Sequence, residues 1–135
     1  MTRGERNHNP LNIRRNDRTR WLGQKPRQVD REFVQFQSDL FGLRAAFRIL
    51  HTYLHLYGLC SLRQVIYRWA PPEDGNNTET YISCVAERSG VRPGAYLQWT
   101  DEDALIDIVT AMAWVESRMV FTNRDLVRQA YRLAN

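Results

Sequence analysis

Residues 104–117 read Ala-Leu-Ile-Asp-Ile-Val-Thr-Ala-Met-Ala-Trp-Val-Glu-Ser. The apolar side chains that recur at steps of three and four residues, as on a helix, are Leu105, Ile108, Val109 and Met112. Apolar residues fill most of the remaining positions too, so this helix is predicted to run through the core. The preceding Thr100-Asp-Glu-Asp103 predicts a capping box at its start.

Four further helices are predicted around this one. They span residues 38–58, 62–69, 77–89 and 122–133, and each begins at a Ser, Thr, Asn or Asp that can act as N-cap. The first is expected to end at Gly58 and the second to stop before Pro71-Pro72.

Residues 1–37 are rich in Asn, Arg, Gly and Pro and show no helical period, apart from a strand-like pattern over 31–37. The sequence therefore predicts a mainly α, single domain over residues 1–135. Residues 1–37 form its loop-rich lead with a short strand or hairpin, and residues 38–135 form about five helices.

The charge is unevenly distributed along the chain. Its 135 residues carry a net charge of +4, but residues 1–31 hold nine basic against three acidic side chains, a local balance of +6. A basic N-terminal third suits a polyanionic partner such as acidic wall polymer, lipid headgroups or nucleic acid. All basic residues except Lys25 are Arg, which favours planar contacts to carboxylate or phosphate.

Several function classes receive no support from the sequence. The start of the chain has no apolar run of the kind found in a signal peptide, so we expect synthesis in the cytoplasm. The apolar stretch ending at Val115 is too short to span a bilayer. Cys60 and Cys84 are predicted as buried thiols, and His51 and His55 lack the further ligands of a metal site, so neither metal nor cofactor is expected.

Glu116 is the strongest candidate for catalysis. A carboxylate at the C-terminal end of an apolar helix favours its protonated form, because desolvation and the negative end of the helix dipole both disfavour the anion. A glycosidase needs such a proton donor for the departing glycosidic oxygen. The alternative is a partly exposed Glu116 paired with Arg118 or another Arg. Glu5 and Glu73 are rival acids.

The string Arg6-Asn-His-Asn-Pro-Leu-Asn12 supplies three candidate sugar-binding amides, Asn7, Asn9 and Asn12. Asn side chains donate to and accept from hydroxyl and acetamido groups, although they also close turns. Trp21 offers a flat apolar ring that could stack on a sugar, or that could belong to the core.

These motifs resemble a family of small bacteriophage and prophage proteins that are described as virion-associated, structural or lysozyme-like. The resemblance lies in the Arg-Gly-x-Arg-Asn-x-Asn-Pro-x-Asn-Ile-Arg opening at residues 3–14, followed by Trp-Leu-Gly at 21–23 and Phe-x-x-Phe at 33–36. It continues through 42–46, 68–72, 77–85 and 111–116 and so covers nearly the whole chain. Leu11 and Arg118 depart from the pattern, since Gly and a small residue are usual there.

A more remote resemblance is to glucosaminidases and lytic transglycosylases of the lysozyme superfamily. Their helix ending in Glu-Ser is matched by Glu116-Ser117, placed near the C-terminal end as in a circular permutation. Residues 79–85 resemble the motif whose Tyr lies beside the transglycosylase carboxylate. The resemblance implies that Tyr81 and Thr78 orient the acid or the substrate's N-acetyl group.

The function predicted from these observations is cleavage of the peptidoglycan glycan strand, with transglycosylation favoured over hydrolysis because no second carboxylate is placed. Such a protein would reach the wall within a virion or after lysis. One alternative is a non-catalytic virion, assembly or wall-binding protein that contacts other virion proteins. Another is a nucleic-acid-binding or host-takeover protein, against which the absence of a DNA-binding motif counts.

Overall fold

The computed structural model describes all 135 residues, and six α-helices account for most of them. They are α1 (Arg3–Arg6), α2 (Asp39–His55), α3 (Leu62–Trp69), α4 (Thr78–Ser89), α5 (Glu102–Ser117) and α6 (Arg124–Ala134). A 3₁₀ turn, Pro72–Asp74, joins α3 to the loop before α4. The mainly α prediction is confirmed, and only the short α1 was not foreseen. No helix in the chain combines the length and the apolar character needed to cross a membrane.

Helix α5 occupies the centre of the core, as its apolar sequence predicts. Of its residues only Asp103 is exposed, and its buried side chains face α1, α2, α4 and α6. The most extensive helix pairings are α2 with α6 and α4 with α5. Apolar residues of the N-terminal lead, including Leu11 and Phe36, join the same core as the five long helices. The chain therefore has one continuous core.

An aromatic cluster holds α2 against α6 and the loop before α5. The Tyr131 ring stacks on Trp99 with centroids 4.6 Å apart, and Phe47 meets Tyr131 edge-on at 5.6 Å. The Tyr131 hydroxyl donates to the Trp99 backbone oxygen at 2.6 Å, so its buried polar atom is satisfied.

The predicted strand over residues 31–37 is not a strand. The segment makes only two isolated bridges, Arg14 with Phe33 and Gln24 with Phe36. Backbone hydrogen bonds still tie the segment to residues 13–15 and 23–25. Side chains add to them: Gln35 Oε1 accepts from the backbone N–H of Val29 and Asp30, and Gln28 bonds to the backbone of Gln35. The bridges stay isolated because each neighbouring segment pairs with only a few residues, so no continuous ladder forms.

Helix ends match the sequence in part. Ser61 and Asn77 cap α3 and α4 through their side chains, as predicted. The predicted capping box at 100–103 does not form, because Asp101 is the N-cap residue and its carboxylate accepts from Gln98 N–H instead. A different capping box forms at the start of α1. There the Thr2 hydroxyl accepts from Glu5 N–H, and the Glu5 carboxylate accepts from Thr2 N–H. Helix α2 ends at His55, before Gly58.

Gly42 allows α2 to pack directly against the N-terminal lead. A Cβ on Gly42 would overlap the His8 carbonyl oxygen and lie 2.8 Å from Pro10 Cδ. Backbone of the lead lies against this face of the helix, so the collision is with an atom that cannot rotate away.

We expect Gly42→Ala to lower the free energy of unfolding by about 1–3 kcal/mol, because overpacking outweighs the usual benefit of Ala in a helix. Urea unfolding followed by circular dichroism measures this. Gly94→Ala is the control, since nothing lies within 4 Å of its Cβ position. Equal stability of Gly42→Ala and wild type would contradict the packing described here.

Candidate active site

Glu116 lies in the last turn of α5, where three helices meet. Its Oε2 accepts hydrogen bonds from Trp69 Nε1 at 3.0 Å and from the Tyr81 hydroxyl at 2.9 Å. Trp69 is the last residue of α3 and Tyr81 lies in the first turn of α4. The carboxylate therefore has one oxygen fixed by donors from two different helices.

The second carboxylate oxygen remains available. The only buried side-chain polar atoms without a hydrogen-bond partner are Asn12 Oδ1 and Ser117 Oγ. Glu116 Oε1 has no partner within the protein either, so it must be open to solvent. One oxygen is thus held while the other can reach a ligand.

Burial raises the pKa of the Glu116 carboxyl above its ordinary value. Desolvation is the largest effect on this pKa, while the hydrogen bonds from Trp69 and Tyr81, the nearby Asn12 amide and the positive charge of Arg14 act in the opposite direction. Burial and the nearby carboxylate raise the pKa of Tyr81 well above its usual range, so Tyr81 stays a neutral donor. This is the environment predicted for Glu116, and the alternative pairing with an Arg is absent.

Arg118 forms no ion pair with the Glu116 carboxylate and instead closes the helix. It adopts a left-handed conformation with φ of 58°, and its Nη1 donates to the backbone oxygens of Trp114 and Val115. Its guanidinium also lies over the Trp114 ring, 4.2 Å from the centroid. Arg118, at a position where the sequence resemblance predicts a small residue, therefore serves as the C-cap of α5.

A cleft of about 650 Å³ opens beside Glu116. Its walls come from the N-terminal lead, α2, α3 and the segment after α3. Besides Glu116, the polar and aromatic side chains that line it include Asn12, Arg14, Trp21, Arg48, Tyr53, Tyr57, Arg68, Trp69, Asp74 and Asn76. A volume of this size is in the range of ligand-binding sites.

Two of the predicted substrate-binding residues line this cleft. Trp21 does so with a half-buried ring. Asn12 adopts a positive φ of 51°, donates from Nδ2 to the Glu116 backbone oxygen at 3.0 Å, and leaves its Oδ1 unpaired. Leu11, beside it, is at a position where the sequence resemblance predicts Gly, but its φ is not positive and its side chain is buried in the core.

Asn7, Asn9 and Thr78 do not line the cleft, because all three are buried and hydrogen-bonded internally. Asn9 donates to the backbone oxygens of Ile13 and Val34 and accepts from Ile13 N–H. Asn7 bonds to the side chains of Asp30 and Gln35, and Thr78 donates to the Ala70 oxygen at 2.7 Å. These residues hold the lead and the start of α4 in place.

The rival acids lie elsewhere. Glu5 is engaged in the capping box of α1, where it accepts from Thr2 N–H at 2.7 Å. Glu73 is exposed on the 3₁₀ turn and does not line the cleft. Asp74, the next residue, does line it and was not singled out from the sequence.

Trp69 and the cleft arginines were also missed by sequence reasoning. The signal for Trp69 was its place in the Arg68-Trp-Ala-Pro-Pro72 motif, at the end of a helix that Pro71-Pro72 stops. Arg14, Arg48 and Arg68 come from three separate segments, and no spacing in the sequence brings them together.

Other candidate ligand groups are not arranged as a site. The rings of His51 and His55 stack 4.6 Å apart, and no group of three or more His, Cys, Asp or Glu is arranged to hold a metal ion. Cys60 and Cys84 are free, half-buried thiols.

No known protein-family model matches the chain. The chain is similar to protein P5 of Pseudoalteromonas phage PM2, with 44% identity over 91 residues. The match covers 66% of this chain and 56% of protein P5, so it spans little more than half of that relative. The similarity supports a bacteriophage origin, while the relative's name states no activity.

The buried and the cleft asparagines should respond differently to substitution. Asn9→Ala removes three buried hydrogen bonds and should lower the free energy of unfolding by about 2–4 kcal/mol. Asn12→Gly, which suits the positive φ, should cost about 1 kcal/mol or less. Chemical unfolding of both variants checks this, and a larger loss for Asn12→Gly than for Asn9→Ala would refute the assignment.

The raised pKa of Glu116 predicts a specific pH dependence of stability. The folded state holds this proton more tightly than the unfolded state, so the contribution is present below the ordinary pKa of 4.5 and is lost as the pH rises through the folded-state pKa. Relative to Glu116→Gln, wild type should therefore lose stability as the pH rises. Thermal unfolding of both proteins from pH 4 to pH 8 tests this, and parallel profiles would count against a desolvated Glu116.

Proposed function

We propose that this chain is a lysozyme-like enzyme that cleaves the glycan strand of peptidoglycan, with lytic transglycosylation as its reaction. The observation that carries the proposal is the environment of Glu116. Its carboxyl is desolvated, its Oε2 is held by Trp69 and Tyr81, and its Oε1 is open beside a cleft. A general acid of a glycosidase requires this combination of a raised pKa and a free oxygen.

In the proposed reaction Glu116 first acts as an acid. It donates its proton to the glycosidic oxygen as the bond between that oxygen and the anomeric carbon breaks. The resulting Glu116 carboxylate then accepts the proton of the attacking hydroxyl. If that hydroxyl belongs to the same sugar, the product is an anhydro sugar, and if it belongs to water, the product is a reducing end.

Two cleft residues suit recognition of N-acetylated sugars. Asn12 lines the cleft beside Glu116, and its side-chain amide is the type of group that hydrogen-bonds the acetamido group of a sugar. The Trp21 ring can stack on the apolar face of a sugar. Tyr81 and Trp69 do not need to touch substrate, because they orient the acid.

The similarity to a bacteriophage protein supports association with a virion, from which the proposed enzyme would reach the bacterial cell wall. It equally supports a second candidate, a virion or wall-binding protein that keeps the cleft without turnover. The nucleic-acid alternative draws on the basic N-terminal lead, but Arg3 of that lead is already paired with Asp30.

We expect purified wild type to clear peptidoglycan in zymography and Glu116→Gln to show no clearing, because the amide cannot donate a proton to the leaving oxygen. Mass spectrometry of the products should find anhydro ends. Glu87→Gln is the matched control: Glu87 is exposed on α4, outside the cleft, and should retain full activity.

Clearing by Glu116→Gln at the wild-type rate would refute the enzymatic proposal. Binding of peptidoglycan without clearing by wild type would favour the non-catalytic candidate. Asp74→Asn separates the two reactions, since Asp74 is the other carboxylate of the cleft. If the products carry anhydro ends and Asp74→Asn is as active as wild type, the reaction is transglycosylation. If wild type produces reducing ends and Asp74→Asn does not, the reaction is hydrolysis with Asp74 as the second carboxylate.

A further inference from the structure

We infer that the cleft selects a glycan that carries carboxylates and discriminates against a neutral one of the same backbone. Three arginines line the cleft and form an arginine wall: Arg14, Arg48 and Arg68. The inference rests on the proposed function, because it concerns the substrate class of the same site.

Arg68 is the clearest member of the wall. It precedes Trp69 in the last turn of α3, and its guanidinium carbon lies 4.0 Å from the Tyr57 ring centroid and 5.5 Å from that of Tyr53. Stacking on aromatic rings orients the plane of a guanidinium and leaves the N–H groups at its edge free. Arg68 forms no ion pair, whereas Arg63 on the same helix is bonded to Glu79.

Of the other two members, Arg48 has no carboxylate partner and Arg14 has one, Glu32. Arg48 donates from Nη1 to the Ala134 backbone oxygen at 2.7 Å and forms no ion pair. Arg14 is largely exposed, and its contact to Glu32 is 3.4 Å long. Each guanidinium has five N–H donors, so most of the donors of the wall have no partner in the protein.

Little negative charge within the cleft offsets this wall. Its only carboxyl groups are Asp74 and Glu116, and burial favours the neutral form of Glu116. A concave surface with an excess of one charge concentrates ligands of the opposite charge. A guanidinium matches a carboxylate with two parallel hydrogen bonds, so carboxylates fit the wall better than sugar hydroxyls do.

Peptidoglycan and chitin differ in this chemical feature. Both are β-1,4 polymers of N-acetylated amino sugars, but only the peptidoglycan strand bears lactyl groups and stem peptides with carboxylates. The arginine wall would therefore favour the peptidoglycan strand over chitin, whereas Asn12 and Trp21 would contact either polymer.

The test measures binding to the full chain with Glu116→Gln, so that turnover does not interfere. Its three probes are peptidoglycan strands with stem peptides, the same strands with their carboxyls converted to methylamides, and chitohexaose. We expect the native strands to bind about tenfold tighter than the other two, as one charge-assisted interaction implies. Adding Arg68→Gln should remove most of that difference, with the affinity for chitohexaose unchanged.

Arg92→Gln is the matched control, because Arg92 is exposed, lies outside the cleft and loses the same charge. Equal loss of affinity in Arg92→Gln and Arg68→Gln would show general electrostatic attraction and overturn the inference. Equal binding of all three glycans would overturn it and leave the proposed function intact. Failure to bind all three glycans would overturn both. Tighter binding of a further probe, an oligothymidylate, would also overturn the inference and point to a phosphate polymer as the ligand.

Discussion

The C-terminal end of α5 is partly buried, and its last backbone carbonyls have no partner within the helix, apart from that of Trp114, which accepts from Arg118 N–H. Each one has a partner from elsewhere. Arg118 donates to the oxygens of Trp114 and Val115, Asn12 to that of Glu116, and Thr2 to that of Ser117. These donors pair carbonyls that are partly shielded from water, where an unpaired oxygen lowers stability. The N-terminal lead is therefore a structural complement of the central helix.

This arrangement also explains the chemistry of the candidate site. The lead packs on one side of the end of α5, and α3 and α4 pack on the other. Together they shield most of the Glu116 side chain from water. The same packing brings Trp69 and Tyr81 to one of its oxygens. Desolvation then exceeds the effect of these donors on the pKa of the carboxyl. The same packing that terminates α5 therefore also creates the environment that the proposed acid requires.

Positive charge in the lead has two different roles in the folded protein. Arg3 forms a bidentate pair with Asp30 at 2.7 Å, which holds the pKa of that carboxyl well below its usual range and fixes the loop on which Asn7 also depends. Arg14 instead joins Arg48 and Arg68 along the cleft. A net charge of +6 over residues 1–31 therefore says little about ligands until each guanidinium is assigned a partner.

The sequence by itself determined the five long helices and the central position of α5, because their apolar spacing is local information. It also singled out Glu116, since a carboxylate at the end of an apolar helix is recognisable without coordinates. Tertiary structure alone decided which of the asparagines face the cleft. Asn7, Asn9 and Asn12 belong to one motif. The side chains of Asn7 and Asn9 are buried and hydrogen-bonded within the protein, and only Asn12 lines the cleft. Tertiary structure also assembled Trp69, Asp74 and the arginine wall, because residues from separate segments meet only when the helices pack around α5.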